Sequence, residues 1–151
     1  MNQSNLINVK PCKNNIGAFI DTNLDEANDD IINIIKVTLD DFGVVFFRNQ
    51  NLNSRSYIQF AKKIGVCADY ARLKGMDGYP EITVVEKKAN ETMMFGEGWH
   101  TDSCYTQQPP KFTMLYSIKT PERGKGNTLF ASQYASYECL PKEDQKKIEN
   151  L

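Results

Sequence analysis

Between Ala27 and Phe42 the sequence repeats at intervals of three and four. Ala27, Ile31, Ile34, Ile35, Thr38, Leu39 and Phe42 fall on one side of a helical wheel, with polar residues opposite. The spacing predicts an amphipathic helix capped by Thr22 or Asn23, with Asp25 and Glu26 in its first turn and Gly43 at its end. A second helix is predicted from a Ser54 cap, with Tyr57, Phe60, Ala61 and Ile64 as its buried stripe and Gly65 as its stop. Before the first helix, a polar arm from Met1 to Asn15 leads into the apolar run Ile16–Ile20, read as a strand. Val44–Phe47, β-branched and aromatic, reads as a buried strand, and Ile82–Val85 as a short one. Further on, the strand-like runs Phe112–Ile118 and Thr128–Ala131 are separated by turn residues, the texture of a sheet being assembled. Ser132 caps a short helix through Leu140, and Pro141 starts another that places Ile148 and Leu151 on one face. That helix stops mid-pattern, as either a frayed terminus or the N-terminal part of a longer protein would.

Composition narrows the class. The 151 residues are 40% hydrophobic and 25% charged, which suits one soluble globular domain and argues against disorder. Net charge is −1, from 18 basic and 19 acidic residues with intermixed signs, so neither nucleic acid nor an anionic membrane is an expected partner. Met1–Lys10 lacks the apolar core of a signal peptide, and no run approaches the roughly 18 apolar residues of a membrane helix. The expectation is a cytoplasmic chain. Cys12, Cys67, Cys104 and Cys139 lie far apart without a Cys-x-x-Cys pair, which excludes a zinc ribbon or thioredoxin motif and favours free thiols.

Histidine is the most restrictive count, because His100 is the single one in the chain. No mechanism that needs two imidazoles can be completed by this chain alone. His100 stands in Trp99-His100-Thr101-Asp102, and on an extended strand positions i and i+2 share a face. An imidazole nitrogen beside a carboxylate oxygen suits a mid-row divalent ion. With a second histidine the pair makes the facial triad of non-haem iron(II) oxygenases, which leaves three coordination positions open. Alone, His-x-Asp is a weak signal, and a structural histidine bonded to a carboxylate is the ordinary alternative. Trp99 and Tyr105 could pack beside a metal, although core packing is the favoured reading of each. A zinc hydrolase lacks the recognised ligand spacing.

The surroundings of the motif sharpen it. Phe95-Gly96-Glu97-Gly98-Trp99-His100-Thr101-Asp102 is followed by Pro109-Pro110, then Met114-Leu115-Tyr116 and Pro121. Gly124-Lys125-Gly126-Asn127-Thr128-Leu129-Phe130-Ala131 comes next, then Ala135, Tyr137, Leu140 and Pro141. This order resembles the taurine dioxygenase family (TauD/TfdA), whose members depend on iron(II) and 2-oxoglutarate. Upstream, Ile16-Gly17-Ala18, Gly43-Val44-Val45-Phe46-Phe47-Arg48-Asn49-Gln50, Phe60-Ala61 and Ile64-Gly65 are similar to the family's N-terminal half.

The resemblance implies His100 and Asp102 as the first two iron ligands and Thr128 as the threonine that hydrogen-bonds 2-oxoglutarate. The second histidine ligand and the arginine that pairs with the 2-oxoglutarate carboxylate belong to the family's C-terminal half. Arg48, Arg55, Arg72 and Arg123 all precede that position. The implied fold is mainly β with flanking helices (α+β), a double-stranded β-helix or jelly-roll of the clavaminate synthase-like type, here incomplete. Residues 1–15 form the arm, and 16–151 form the N-terminal part of one dioxygenase domain, truncated before the C-terminal ligands. The implied activity is hydroxylation of a small organic substrate with O2, as 2-oxoglutarate is decarboxylated to succinate. The chain alone is expected to be inactive, and the rival reading is a non-catalytic jelly-roll remnant with at most weak metal binding. Self-association stays open. Two departures bear on the site. The family's Gly-Gly-Asp-Thr is Gly124-Lys125-Gly126-Asn127-Thr128, with one extra residue and a neutral amide for a carboxylate. Gly96 stands where a sulfonate-binding member carries a polar substrate contact, which argues against taurine. Glu97 is the nearest spare carboxylate should another ligand be needed.

Overall fold

A computed structural model describes residues 7–68, 73–88, 90–92 and 96–149. The first six residues of the N-terminal arm, Arg72, Phe95 and Leu151 therefore lie outside the described residues. The chain divides into two compact units, Met1–Gln50 with Lys119–Leu151, and Asn51–Ile118.

The first unit is built on a three-stranded sheet in the order β1-β2-β3, from Asn8–Pro11, Ala18–Asp21 and Val45–Phe46. β1 runs antiparallel to β2, with Asn8 opposite Asp21 and Pro11 opposite Ala18. β2 runs parallel to β3, with Ala18 opposite Val45, and the helix α1 (Asp29–Phe42) makes the crossover between them. The polar arm thus contains a strand that its hydrophilic sequence hides: β1 is an edge strand with little burial, so no alternation marks it. At the β1–β2 turn, Gly17 has φ +87°, and a Cβ there would stand 2.8 Å from the Phe46 ring. Both the backbone conformation and the close approach require glycine.

The two faces of β2 hold different material. Ala18 and Ile20 are buried with Leu24, Ala27, Ile32 and Ile35, and they form the core together with α1. Phe19 points the other way, its ring centroid 5.2 Å from that of Phe46, with the Arg48 guanidinium 5.3 Å over it. Phe130 meets Phe46 edge-on at 5.9 Å. Thr128 lies two residues before that anchor.

The helix α1 begins later than the periodicity predicts. Asn28, not Thr22 or Asn23, accepts from the Ile31 amide as its cap, while Asn23 caps a separate 3-10 turn over Leu24–Glu26. The first turn therefore carries Asp29 and Asp30. Gly43 ends the helix in the left-handed conformation, as expected. The buried line is Ile32, Ile35 and Thr38, with Ile31, Ile34, Leu39 and Phe42 half-buried beside it. After Lys119, a short helix α3 (Gln133–Glu138), capped by Ser132, meets α4 (Lys142–Ile148) at Pro141. Gln145 is buried between them and donates to the carbonyls of Tyr137 and Leu140.

In the second unit the helix α2 spans Ser54–Ile64 and ends at Gly65. Asn53, rather than Ser54, is its cap. The Asn53 side chain accepts from the Ser56 amide and the Ser56 hydroxyl accepts from the Asn53 amide, a reciprocal capping box. Ile58 and Phe60 are its buried residues, with Tyr57, Ala61 and Ile64 half-buried. Tyr57 donates to the Met114 carbonyl at 2.6 Å, and the Leu52 amide donates to the Tyr116 hydroxyl at 3.2 Å.

The sequence runs 82–85, 112–118 and 128–131, all expected as strands, join no ladder among the described residues. A strand is defined by its neighbours, and the sheet that these runs would form lacks partner strands here. Among their apolar side chains, Leu115 stands 76% exposed, Ile118 89% and Leu129 71%. No helix among the described residues is long and apolar enough to cross a membrane. All four cysteines are free thiols.

Candidate metal centre

His100 and Asp102 sit in the second unit, at the end of a glycine-rich loop and the start of a turn over 102–105 rather than on a strand. The expected strand geometry is therefore replaced by a bend, with Ser103 at φ +50° just after Asp102. The bend nevertheless brings the two side chains together. His100 Nε2 lies 3.2 Å from Asp102 Oδ1, and each side chain is about half exposed.

The other ring nitrogen fixes the imidazole. His100 Nδ1 is 2.9 Å from the carbonyl oxygen of Gly98. A carbonyl only accepts, so Nδ1 carries the hydrogen, and the lone pair of the neutral ring sits on Nε2. That lone pair faces a carboxylate oxygen, which also only accepts. Two acceptors at this distance are stable when a cation lies between them, either a proton on the ring or a metal shared by both. An octahedral divalent ion with bonds of about 2.1 Å places neighbouring donors about 3 Å apart. The observed separation fits that spacing, and one nitrogen plus one hard oxygen suits iron(II) or manganese(II). Among the described residues no group of three or more His, Cys, Asp or Glu side chains gathers around a common point.

Thr128 is in the first unit, exposed, in the irregular segment that Phe130 ties to the sheet. The loop before it is a tight turn: the Lys125 amide donates to the Glu122 carbonyl, and the Lys125 ammonium pairs with the Glu122 carboxylate at 2.8 Å. Trp99 is 71% exposed and Tyr105 54%, so neither is the core residue that the sequence favours. Glu97 is exposed on the same loop and makes interactions of its own.

One participant was missed by side-chain reasoning: the backbone carbonyl of Gly98. Its signal was the pair of glycines around Glu97, both at positive φ, +73° for Gly96 and +92° for Gly98.

Comparison with known proteins supplies independent information. The family described as taurine catabolism dioxygenase TauD, TfdA family matches residues 8–151. An alpha-ketoglutarate-dependent 2,4-dichlorophenoxyacetate dioxygenase from Cupriavidus pinatubonensis is 27% identical over 133 residues, which cover 78% of this chain and 46% of that protein. An alpha-ketoglutarate-dependent sulfate ester dioxygenase from Pseudomonas putida is 29% identical over 151 residues, covering 96% of this chain and 48% of its own length. An alpha-ketoglutarate-dependent sulfonate dioxygenase from Saccharomyces cerevisiae is 28% identical over 120 residues, 72% of this chain and 29% of that protein. The chain spans less than half the length of these three relatives.

Proposed function

The chain belongs to the taurine catabolism dioxygenase TauD, TfdA family, and on that premise we propose that it is the N-terminal, metal-binding part of an iron(II)- and 2-oxoglutarate-dependent dioxygenase. The reaction is hydroxylation of a small organic substrate: 2-oxoglutarate, O2 and R–H give succinate, CO2 and R–OH. The observation that carries this reading is the His100 Nε2–Asp102 Oδ1 pair at 3.2 Å, with the ring oriented by Gly98. Iron, when bound, supplies the redox chemistry of O2, which no side chain of this chain can provide. His100 and Asp102 would each supply one ligand to the ion, and a further protein ligand would complete the site. Thr128 donates its hydroxyl to 2-oxoglutarate.

With one histidine in the sequence, the third protein ligand and the arginine for the co-substrate carboxylate come from a further polypeptide segment. The half-length match to the relatives supports that assignment. A charge-assisted carboxylate pair contributes about 1.5–3 kcal/mol, roughly one to two powers of ten in affinity. The 151-residue chain alone therefore binds iron(II) more weakly than micromolar and makes no succinate above background with iron(II), ascorbate and O2. Anaerobic calorimetry and a succinate assay check both. Iron binding must be lost in His100→Ala and Asp102→Ala. Succinate release by the chain alone, abolished in His100→Ala, would show that another residue completes the site, with Glu97 the first to substitute. The rival reading, a non-catalytic remnant, predicts that a supplied C-terminal segment restores no 2-oxoglutarate decarboxylation. The dioxygenase reading predicts that it does, before any substrate is added. Gly96, exposed and without a side chain, supports a substrate other than taurine.

A further inference from the structure

We propose that the loop Gly96-Glu97-Gly98 is the positioning element of the metal centre, holding His100 as the Nδ1–H tautomer so that Nε2 is presented toward Asp102 and the ion. This rests on the metal reading of His100 and Asp102 given above, and it adds residues that touch neither the ion nor the substrate. Three observations converge on it. The Gly98 carbonyl accepts from Nδ1 at 2.9 Å, which leaves Nε2 as the ring's sole donor to a metal. To turn that carbonyl back onto a ring two residues further along the chain, Gly98 adopts φ +92°, a conformation that L side chains rarely enter. A Cβ added at Gly98 would meet nothing within 4 Å, so a substitution there acts through the backbone alone and not through a clash.

Gly96 packs beside the same ring. A Cβ on Gly96 would stand 3.4 Å from His100 Cε1 and 3.8 Å from Nε2. Both are ordinary van der Waals distances, so it is φ +73°, a conformation that L side chains rarely adopt, and not lack of space that favours glycine there. Hydrogen bonds to the far nitrogen of a ligating histidine set its orientation and basicity, and their loss costs about 10–100-fold in metal affinity. The loop is exposed and outside the buried core, so its substitution leaves the remainder of the chain folded.

The test uses the full chain and exploits its single imidazole, which gives one unambiguous set of ring signals in a nitrogen-15 NMR spectrum. At a pH where the ring is neutral, metal-free Asp102→Ala, in which no carboxylate competes for the ring hydrogen, shows a protonated Nδ1 and an unprotonated Nε2. Gly98→Val, β-branched and unable to hold positive φ, loses that preference in the same background. With Asp102 present, the manganese(II) affinity of Gly98→Val, read from broadening of the His100 signals, falls about tenfold or more. Gly98→Asn, which tolerates the left-handed region, keeps both. Thermal melting by circular dichroism verifies that the variants are folded, and Gly98→Ala repeats the measurement if the valine lowers the melting temperature. An Asp102→Ala ring protonated on Nε2 overturns the proposal. So does a Gly98→Val protein that responds to manganese(II) as the wild type does, with the metal reading left intact. The expected tautomer in Asp102→Ala together with no response of the wild type to manganese(II) overturns the metal reading itself, and the loop's positioning role with it.

Discussion

Tyr57 carries the most perturbed ionisable group resolved among the described residues. Its phenol is pushed up to about 12 from 10, first by burial and second by the repulsion of a charged Cys67 thiolate. Because its hydroxyl is the donor to the Met114 carbonyl, ionisation also removes that hydrogen bond. The sign follows directly. The fold favours the neutral phenol, so Tyr57 contributes stability that is complete below pH 10 and is lost as the pH rises toward 12. Removing the hydroxyl in Tyr57→Phe costs about 1 kcal/mol near neutral pH, the net worth of one hydrogen bond. Urea titrations of both proteins across this range check the two statements together. The stability difference between them is constant through pH 9 and shrinks above pH 10. A difference that does not change with pH would mean that Tyr57 ionises as freely in the folded chain as in the unfolded one.

Among the elements, helices were legible in the sequence and strands only in part, for a physical reason. A helix satisfies its hydrogen bonds locally, so Gly43 and Gly65 mark the ends of α1 and α2 wherever the rest of the chain goes. The caps were misplaced because the chain offers a choice of side chains. Asn23 and Asn28 both cap, one a 3-10 turn and one α1, and Asn53 outcompetes Ser54 by pairing with Ser56. Strands need distant partners. The run 112–118 still shows the strand period, with 112, 114 and 116 half-buried and 113, 115 and 117 exposed, but the Met114 carbonyl is taken by a tyrosine instead of a neighbouring strand. The same limit applied to the site. The pairing of His100 with Asp102 was readable from their spacing, whereas the Gly98 carbonyl, a backbone group, was not. The capping box gives a direct measurement at this scale. Asn53→Ala leaves the Ser56 amide without its acceptor and lowers the stability of α2 by about 1 kcal/mol, whereas Ser54→Ala costs only a few tenths. Equal losses in chemical denaturation would return the cap to Ser54.

At the scale of the whole molecule, the contrast between protected and unprotected apolar runs makes a last prediction. The three-stranded sheet guards its edges: β1 carries Lys10 and Pro11, and β3 is two residues long. The run 112–118 has lysines only outside it, at 111 and 119, and between them Leu115 and Ile118 stand 76% and 89% exposed. Exposed in this chain, the run offers backbone groups and apolar side chains to any similar segment. The 151-residue chain should therefore self-associate, its weight-average mass in sedimentation equilibrium rising with concentration. Leu115→Lys combined with Ile118→Lys places charge inside the run and should return the chain to a monomer. Both side chains point to solvent, so melting should be unchanged. Val37→Lys, on the exposed side of α1 and also apolar in the wild type at 60% exposure, is the control and should leave association as it was. If the control dissociates the protein as well as the double variant does, association is a matter of net charge and not of an unpaired strand. If the wild-type chain stays monomeric at every concentration, the run is not acting as an open edge.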